Sequence, residues 1–337
     1  MRQSRKQEHL ENYLLSSYKN STLFEDVYLS HNPISERNYE DIDPSCVFLG
    51  HKISFPFMIN AITGGNEYAN EINENLANIS KELNIPMAVG SQKIAVDDPS
   101  LKKSFEVVRK INKDGIIISN LGALSSVDEA KKAVEMINAN AIQLHLNLAQ
   151  ELVMPEGDRD FRGVVENISK IVKELKLPVI VKEVGTGINK KSAKLLYDVG
   201  VRYIDVAGKG GSNFVEIEDL RNPALDSNEL YEWGIPTALS LLEVKSLNKN
   251  DLFIISSGGV RTSTDIAKSI AMGAKLCAGS GEIINYLIRG GYPSALEYVK
   301  NLKNKLKILM VLLDVDNLDE LSKVEYKLTG KLKELNN

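Results

Sequence analysis

Cysteine is scarce in this chain, with Cys46 and Cys277 the two in 337 residues. They lie far apart and form no C-x-x-C pair, so reduced thiols are expected rather than a zinc site or a redox couple. Long apolar runs are missing too. None approaches the ~18 residues that a membrane helix needs. The polar, charged stretch 1–13 has no apolar segment of the kind a signal peptide carries. The expectation is a cytoplasmic protein with no membrane contact. A basic field is also lacking: 41 Lys+Arg against 45 Asp+Glu leave a net charge of −4. The sequence pI is near 5.8, which argues against a nucleic-acid or membrane-surface partner. An anionic small molecule stays open, because local cations decide its binding. No low-complexity linker and no long internal repeat interrupts the chain.

What is present is ordinary globular composition, 43% hydrophobic and 26% charged. A chain of this length buries roughly 75% of its unfolded surface and can build one large core. Eight short runs, apolar on both faces, recur along it: 57–61, 86–89, 115–119, 141–146, 178–181, 203–206, 252–256 and 275–278. Each closes on Gly, Ser, Thr, Asn or Lys, as buried parallel strands do at their ends. Between them lie helical patterns over 70–83, 127–137, 164–175, 192–199 and 262–272, with Thr262 as an N-cap. Strand then helix, eight times over, predicts an α/β fold of the (β/α)₈ TIM-barrel type. An open doubly wound sheet is the weaker choice, because no G-x-G-x-x-G opens a helix after the first strand. Residues 1–50 fall outside the repeat. They predict an N-terminal arm that contacts the barrel mouth, with 51–337 as the barrel and its C-terminal helices in one domain. The lysines of 300–307 read as a solvated face.

In such barrels chemistry gathers at the C-terminal strand ends. The run Ser256-Ser257-Gly258-Gly259-Val260-Arg261 follows a buried strand and opens a helix. Its glycines let backbone N–H groups approach a phosphate, and the helix dipole and Arg261 add positive potential. The next strand end, Ala278-Gly279-Ser280-Gly281, repeats the pattern, and loops seven and eight are the usual phosphate site of this fold. Lys182 closes an apolar strand and faces the mouth, as a cation for a planar ligand or as a structural partner of Glu183 or Asp205. Thr63, Ser91 and Asn120 end earlier strands with small hydrogen-bonding groups suited to a heterocycle's polar edge. The loop Gly208-Lys209-Gly210-Gly211-Ser212-Asn213-Phe214 could cover a ligand. His145, Asn147, Gln150 and Glu151 stand together at one strand end, where Glu151 suits Mg²⁺. Arg5-Lys6-x-x-His9 puts three groups within a helical turn, a fit for a diphosphate or simply a charged terminus.

Several of these stretches occur together and in one order: Arg5-Lys6-x-x-His9, Ala61-Ile62-Thr63-Gly64-Gly65, Gly90-Ser91-Gln92, His145-Leu146-Asn147, Gln150-Glu151, Pro155-Glu156-Gly157-Asp158-Arg159-Asp160-Phe161, Val181-Lys182-Glu183 and Ser257-Gly258-Gly259-Val260-Arg261. The series resembles the type 2 isopentenyl-diphosphate isomerases along nearly the whole chain. Its most specific parts are P-E-G-D-R-D-F and R-K-x-x-H; the glycine motifs are shared with other FMN barrels. The resemblance implies FMN, Mg²⁺, and NADPH to reduce the flavin. It also implies isopentenyl and dimethylallyl diphosphate as substrate and product in isoprenoid biosynthesis, and a homo-oligomer of four or more chains. By the same carry-over Arg5, Lys6, His9, His145, Asn147 and Gln150 hold substrate, Gln150 assists proton transfer, and Glu151 takes the metal. FMN would contact Ala61, Ile62, Thr63, Ser91, Asn120, Lys182, Ala207, Ser212, Gly258, Gly259, Val260, Arg261, Ala278 and Gly279. Ile62 stands where the family usually has Met, and Ser212-Asn213 where it often has Thr-Ser.

The rival expectation is an FMN-dependent 2-hydroxy-acid oxidase or dehydrogenase. That chemistry needs a base on a late loop, usually histidine. The four histidines here, His9, His31, His51 and His145, all lie in the first half of the chain. A dihydroorotate- or inosinate-type enzyme would want a cysteine, serine or threonine on a mobile loop, whereas the late cysteine, Cys277, falls within an expected strand.

Overall fold

A computed structural model describes residues 2–16, 20–222, 224 and 226–336, and for residues 2–7 and 10 the backbone alone. The arm begins with a helix, Arg2–Leu15. Three short strands follow: β1 (Val27–Leu29), β2 (Cys46–Phe48) and β3 (His51–Ile53). The barrel strands are β4 (Phe57–Ile59), β5 (Met87–Ala88), β6 (Ile117–Gly122), β7 (Ala141–Leu146), β8 (Val179–Glu183), β9 (Tyr203–Asp205), β10 (Phe253–Ser256) and β11 (Leu276–Gly279). They close in chain order, with β11 pairing back onto β4 and every neighbour parallel. All eight expected strands are therefore present. A parallel strand covered on both faces must be apolar throughout, and that is what made them visible.

Two apolar layers hold the barrel. Side chains such as Met58, Ile118, Ile180, Ile255 and Leu276 fill its interior, while a larger set packs the strands against the surrounding helices. The β2–β3 hairpin joins the interior layer: Phe48 is fully buried, with its ring centroid 5.2 Å from Phe253 and 6.3 Å from Tyr203. The expected division at residue 50 falls in this hairpin's turn. Residues 46–53 cap the barrel end opposite the functional loops. The first helix of the arm reaches the mouth, and Thr22 packs there against the loops of Gly210 and Gly259.

The helices end and begin where local chemistry dictates. Thr262 caps Ser263–Ala271 in a reciprocal capping box with Asp265, as its position predicts. The tail differs from the all-helical expectation. A long helix, Gly281–Leu312, kinks at Gly291 (φ 69°) just before Pro293. A twelfth strand, β12 (Tyr326–Leu328), then pairs antiparallel with β1. This ribbon ties the two termini of the chain together, and no local pattern announces a pairing across so much sequence. Lys300 bonds Glu82 at 2.8 Å and Lys307 lies 4.5 Å from the Tyr39 ring centroid, in keeping with a solvated face.

Candidate active site

A cavity of about 1060 Å³ opens at the C-terminal ends of the barrel strands. Its lining includes His9, Ala61, Ile62, Ser91, Asn120, His145, Asn147, Gln150 and Glu151. Lys182, Ala207, Ser212, Gly258, Gly259, Val260, Arg261, Ala278 and Gly279 complete the expected set. Thr63 is buried behind this wall. Its carbonyl accepts from the Gly90 N–H (3.1 Å) and the Asn73 amide (3.3 Å), so it shapes the loop from outside the cavity. The side chains of Arg5 and Lys6 lie outside the described residues.

One end of the cavity suits a phosphate. Gly258 and Gly259 have φ of 93° and 80°, and a Cβ on either would lie 2.1 Å from the Gly208 carbonyl or 2.3 Å from that of Gly210. Only glycine lets these two loops interlock. Among the described residues, neither the Gly259 nor the Val260 N–H finds an acceptor. These open donors lie on the loop that leads into Ser263–Ala271, and Gly279 leads into the helix that begins at Gly281. Donors on a helix-leading glycine loop, with Arg261 beside them, match what a phosphate monoester needs. Arg261 is held by Glu282 (3.4 Å) and the Gly259 carbonyl (3.3 Å). The arm reaches here as well: the Tyr13 hydroxyl stands 2.0 Å from where a Cβ on Gly281 would be. Burial and Glu282 raise the Tyr13 phenol above its ordinary pKa, and Arg261 pulls it the other way.

The middle of the cavity carries a buried cation. Lys182 is 7% exposed and donates to its neighbour's carbonyl, Glu183 O, at 2.5 Å. It forms no close ion pair with Glu183 or Asp205 among the described residues. The Glu183 carboxylate is instead taken by the N–H groups of Val184 and Gly185, each 2.7 Å away, and of Thr186. Burial pushes the Lys182 ammonium below the usual lysine value, against the pull of Asp205 and Glu183. Burial likewise pushes the Asp205 carboxyl up, opposed by Lys182, Ser257 and Asn60. An ammonium without a close anion fits the electron-rich edge of a flavin ring. Together with the phosphate loops, it makes the cavity a fit for FMN.

The other end holds a carboxylate that the motifs did not reveal. Glu218, on the helix Phe214–Arg221, is completely buried. It accepts from Gln150 Nε2 (2.8 Å) and Arg221 Nε (2.7 Å) and pairs with His9 Nε2 (2.8 Å). Burial pushes its carboxyl up, but His9, Gln150 and Arg221 together outweigh burial and hold it below the usual glutamate value. Arg221 also pairs with Glu156 of the P-E-G-D-R-D-F loop at 2.6 Å. That loop folds back on the Gln150 helix: Asp158 N–H donates to Glu151 Oε2 and Asn147 Nδ2 to Glu151 Oε1, both at 2.8 Å. Each Glu151 oxygen thus takes one hydrogen bond and keeps a lone pair for a hard cation. Among the described residues no group of three or more His, Cys, Asp and Glu side chains forms a ready-made metal cluster. One carboxylate fits Mg²⁺ if phosphate oxygens and water supply its other ligands. Ser212-Asn213, the departure from the family pattern, has a local use: Asn213 caps the Glu218 helix by accepting from Val215 N (3.1 Å) and Glu216 N (3.4 Å).

Comparison with known proteins agrees with this arrangement. Residues 158–327 match the FMN-dependent dehydrogenase family. Among solved structures, mandelate oxidase bound to (S)-mandelic acid superposes with a TM-score of 0.69 over 96% of this chain and 94% of that one, at 15% identity. The oxidase with a flavin monooxide adduct gives 0.67 over 95% and 92%, also at 15%. These establish the shared barrel fold. An isopentenyl-diphosphate delta-isomerase of Geobacillus sp. is 42% identical over 98% of this chain and 94% of its own length. The isopentenyl-diphosphate delta-isomerase of Listeria welshimeri is 40% identical over 100% and 94%. With near-complete coverage at this identity, the chain belongs to the FMN-dependent, type 2 isopentenyl-diphosphate delta-isomerase family.

Proposed function

We propose that this protein interconverts isopentenyl and dimethylallyl diphosphate in isoprenoid biosynthesis, with FMN in the cavity and Gln150 as the side chain that assists at the substrate's C2 proton. The reaction adds a proton at the terminal carbon and removes one two carbons away, with no net electron transfer. Bound and reduced, FMN supplies a proton donor and acceptor and an electron-rich ring beside the hydrocarbon tail. The protein's own groups do the rest. The N–H groups of Gly259 and Val260 and the guanidinium of Arg261 hold the cofactor phosphate, and Lys182 the edge of the ring. Ala61, Ile62, Ser91, Asn120, Ala207, Ser212, Ala278 and Gly279 make up the rest of the cofactor pocket, with Thr63 supporting the loop from behind. Asn147, His145, His9 and the arm residues Arg5 and Lys6 bind the diphosphate. Glu151 anchors Mg²⁺ against it.

The observation that carries the reading is the bond from Gln150 to the buried Glu218. Gln150 cannot ionise, so alone it is a poor proton handler. Its Nε2 is committed to a buried carboxylate, which fixes the carboxamide and turns Oε1 towards Asn147, whose Nδ2 lies 3.4 Å away. NADPH as flavin reductant, a cytoplasmic location and a homo-oligomer of four or more chains complete the proposal; they rest on the family resemblance. The arm helix, which brings His9 and Tyr13 to the cavity, serves as a closing element over the barrel.

The test sets the isomerase against the oxidase whose barrel it shares. FMN-loaded protein is reduced anaerobically with dithionite and given isopentenyl diphosphate and Mg²⁺; acid-labile allylic product is expected. Oxidised protein is separately given 2-hydroxy acids, and its yellow colour is expected to persist. Bleaching by a hydroxy acid, with no allylic product in the first arm, overturns the proposal.

A further inference from the structure

At the floor of the cavity, side chains from several barrel strands form a connected line that runs from Asp205 to His145. Asp205 on β9 is fully buried, as is Gln143 on β7, while Asn60 just after β4 and Asn120 on β6 are 4% and 2% exposed. Asn60 Nδ2 donates to Asp205 Oδ2 (2.7 Å) and Gln143 Nε2 to Asn60 Oδ1 (2.9 Å). Asn120 Nδ2 donates to Gln143 Oε1 at 3.0 Å, and Asn120 Oδ1 lies 2.9 Å from His145 Nδ1. Strand register supports the line, since Asn120 stands opposite Gln143 and Lys182 opposite Asp205.

A carboxamide can be turned over without changing its shape, so its polarity has to come from its partners. Here the polarity is anchored twice at the Asp205 end. Asp205 is surrounded by donors: Asn60, the Ser257 hydroxyl at 2.5 Å and the Ala207 N–H at 3.3 Å. It therefore faces the NH₂ of Asn60. Independently, the Ala61 N–H lies 2.9 Å from the other atom of that amide, which must be oxygen. From there each amide dictates the next. Asn60 presents oxygen to Gln143, Gln143 presents oxygen to Asn120, and Asn120 presents oxygen to the imidazole. An oxygen acceptor at 2.9 Å requires a proton on Nδ1.

We propose that Asp205, through Asn60, Gln143 and Asn120, is a positioning residue for His145: the relay keeps a proton on Nδ1 whatever the state of Nε2. Neutral or charged, the ring is held in its plane by the same bond. The inference rests on this chain's side chains alone and stands apart from the identity of the substrate.

Magic-angle-spinning NMR of FMN-loaded protein carrying ¹⁵N-histidine reads the protonation of each ring nitrogen, with a His145→Gln variant for assignment. In the wild type, His145 Nδ1 is expected to be protonated both below and above the pH at which Nε2 titrates. A bare Nδ1 at any of these pH values overturns the proposal. Gln143→Met fills the same space but cuts the relay. It releases the Asn120 amide to turn its NH₂ to the ring, and the His145 proton is expected to move to Nε2. Gln143→Glu keeps an acceptor for Asn120 and is expected to retain the wild-type Nδ1 signal. A merely structural role would disturb both variants alike and leave the tautomer in place. An unchanged His145 spectrum in Gln143→Met, or the same change in Gln143→Glu, overturns it as well.

Discussion

Replacing Glu218 with glutamine keeps the volume of the side chain and removes the charge that holds Gln150, His9 and Arg221 together. The carboxylate has no exposure, and its Oε1 faces both His9 and Gln150 while Oε2 faces Arg221. A glutamine there must turn its NH₂ either onto the Arg221 guanidinium or onto the donors of Gln150 and His9. One charge-assisted bond is lost in each case, and donors are set against donors. Breaking a buried pair by removing one partner costs about 3–5 kcal/mol. Arg221 keeps Glu156 at 2.6 Å, so the lower end applies. At about 2–4 °C per kcal/mol for a large domain, the Tm should fall by about 6–12 °C. Gln150 loses the partner that orients it, and kcat should fall by about 10²-fold or more, the size of a positioned proton-transfer group. The assay is turnover of isopentenyl diphosphate at saturation by the FMN-loaded, Mg²⁺-supplied variant, alongside thermal unfolding followed by circular dichroism. An unchanged kcat would refute the role given to Glu218, and an unchanged Tm would refute the energetic reasoning.

Gln150→Ala should lose about 10²–10⁴ in kcat while FMN stays bound; an unchanged kcat removes Gln150 from the mechanism. Gly259→Ala forces a Cβ towards the Gly210 carbonyl at φ 80°. The left-handed conformation alone costs an alanine about 1–2 kcal/mol, so FMN affinity measured by fluorescence titration should drop by about tenfold or more. Glu151→Gln should raise the Mg²⁺ concentration needed for half-maximal turnover and leave FMN fluorescence titrations untouched; equal Mg²⁺ dependence in both proteins would contradict the metal assignment. The Glu218 carboxyl is held below its unfolded value, so its stabilisation is complete above that value and is lost as the pH falls through the folded pKa. The Tm gap between wild type and Glu218→Gln should therefore close as the pH falls below about 5, through the unfolded value near 4.3 and then the folded one.

The barrel was legible in the sequence because burial on both faces leaves an apolar run with a polar stop, and eight such stops in a row fit few folds. The glycine loops at the mouth were legible because Gly258-Gly259 ahead of a capped helix has a backbone use that side chains elsewhere do not. Residues 20–53 were not. The β1 strand is three residues long and finds its partner at Tyr326–Leu328, and the hairpin carrying Phe48 is recognisable as a barrel plug only once the barrel exists. Glu218 was hidden for a different reason. Its helix buries Glu216, Glu218 and Asp219 beside Val215 and Ile217, so no amphipathic stripe marks which charge faces inward. Gln143 and Asp205 left a fainter trace, each a polar residue within a short apolar strand, where a polar group needs buried partners. Thr63 ended a strand as expected, yet its side chain falls behind the cavity wall, because a stop residue can serve the turn rather than the ligand.

The most direct measurement is proton NMR of isopentenyl diphosphate incubated anaerobically with the protein, FMN, Mg²⁺ and NADPH, with NADPH followed by absorbance and an NADPH-free control. The vinylidene signal should give way to dimethylallyl signals while NADPH consumption stops at about the amount needed to reduce the flavin once, because the reaction carries no net electrons. A substrate left intact by protein whose flavin is reduced, or NADPH consumed in step with product, would contradict the account.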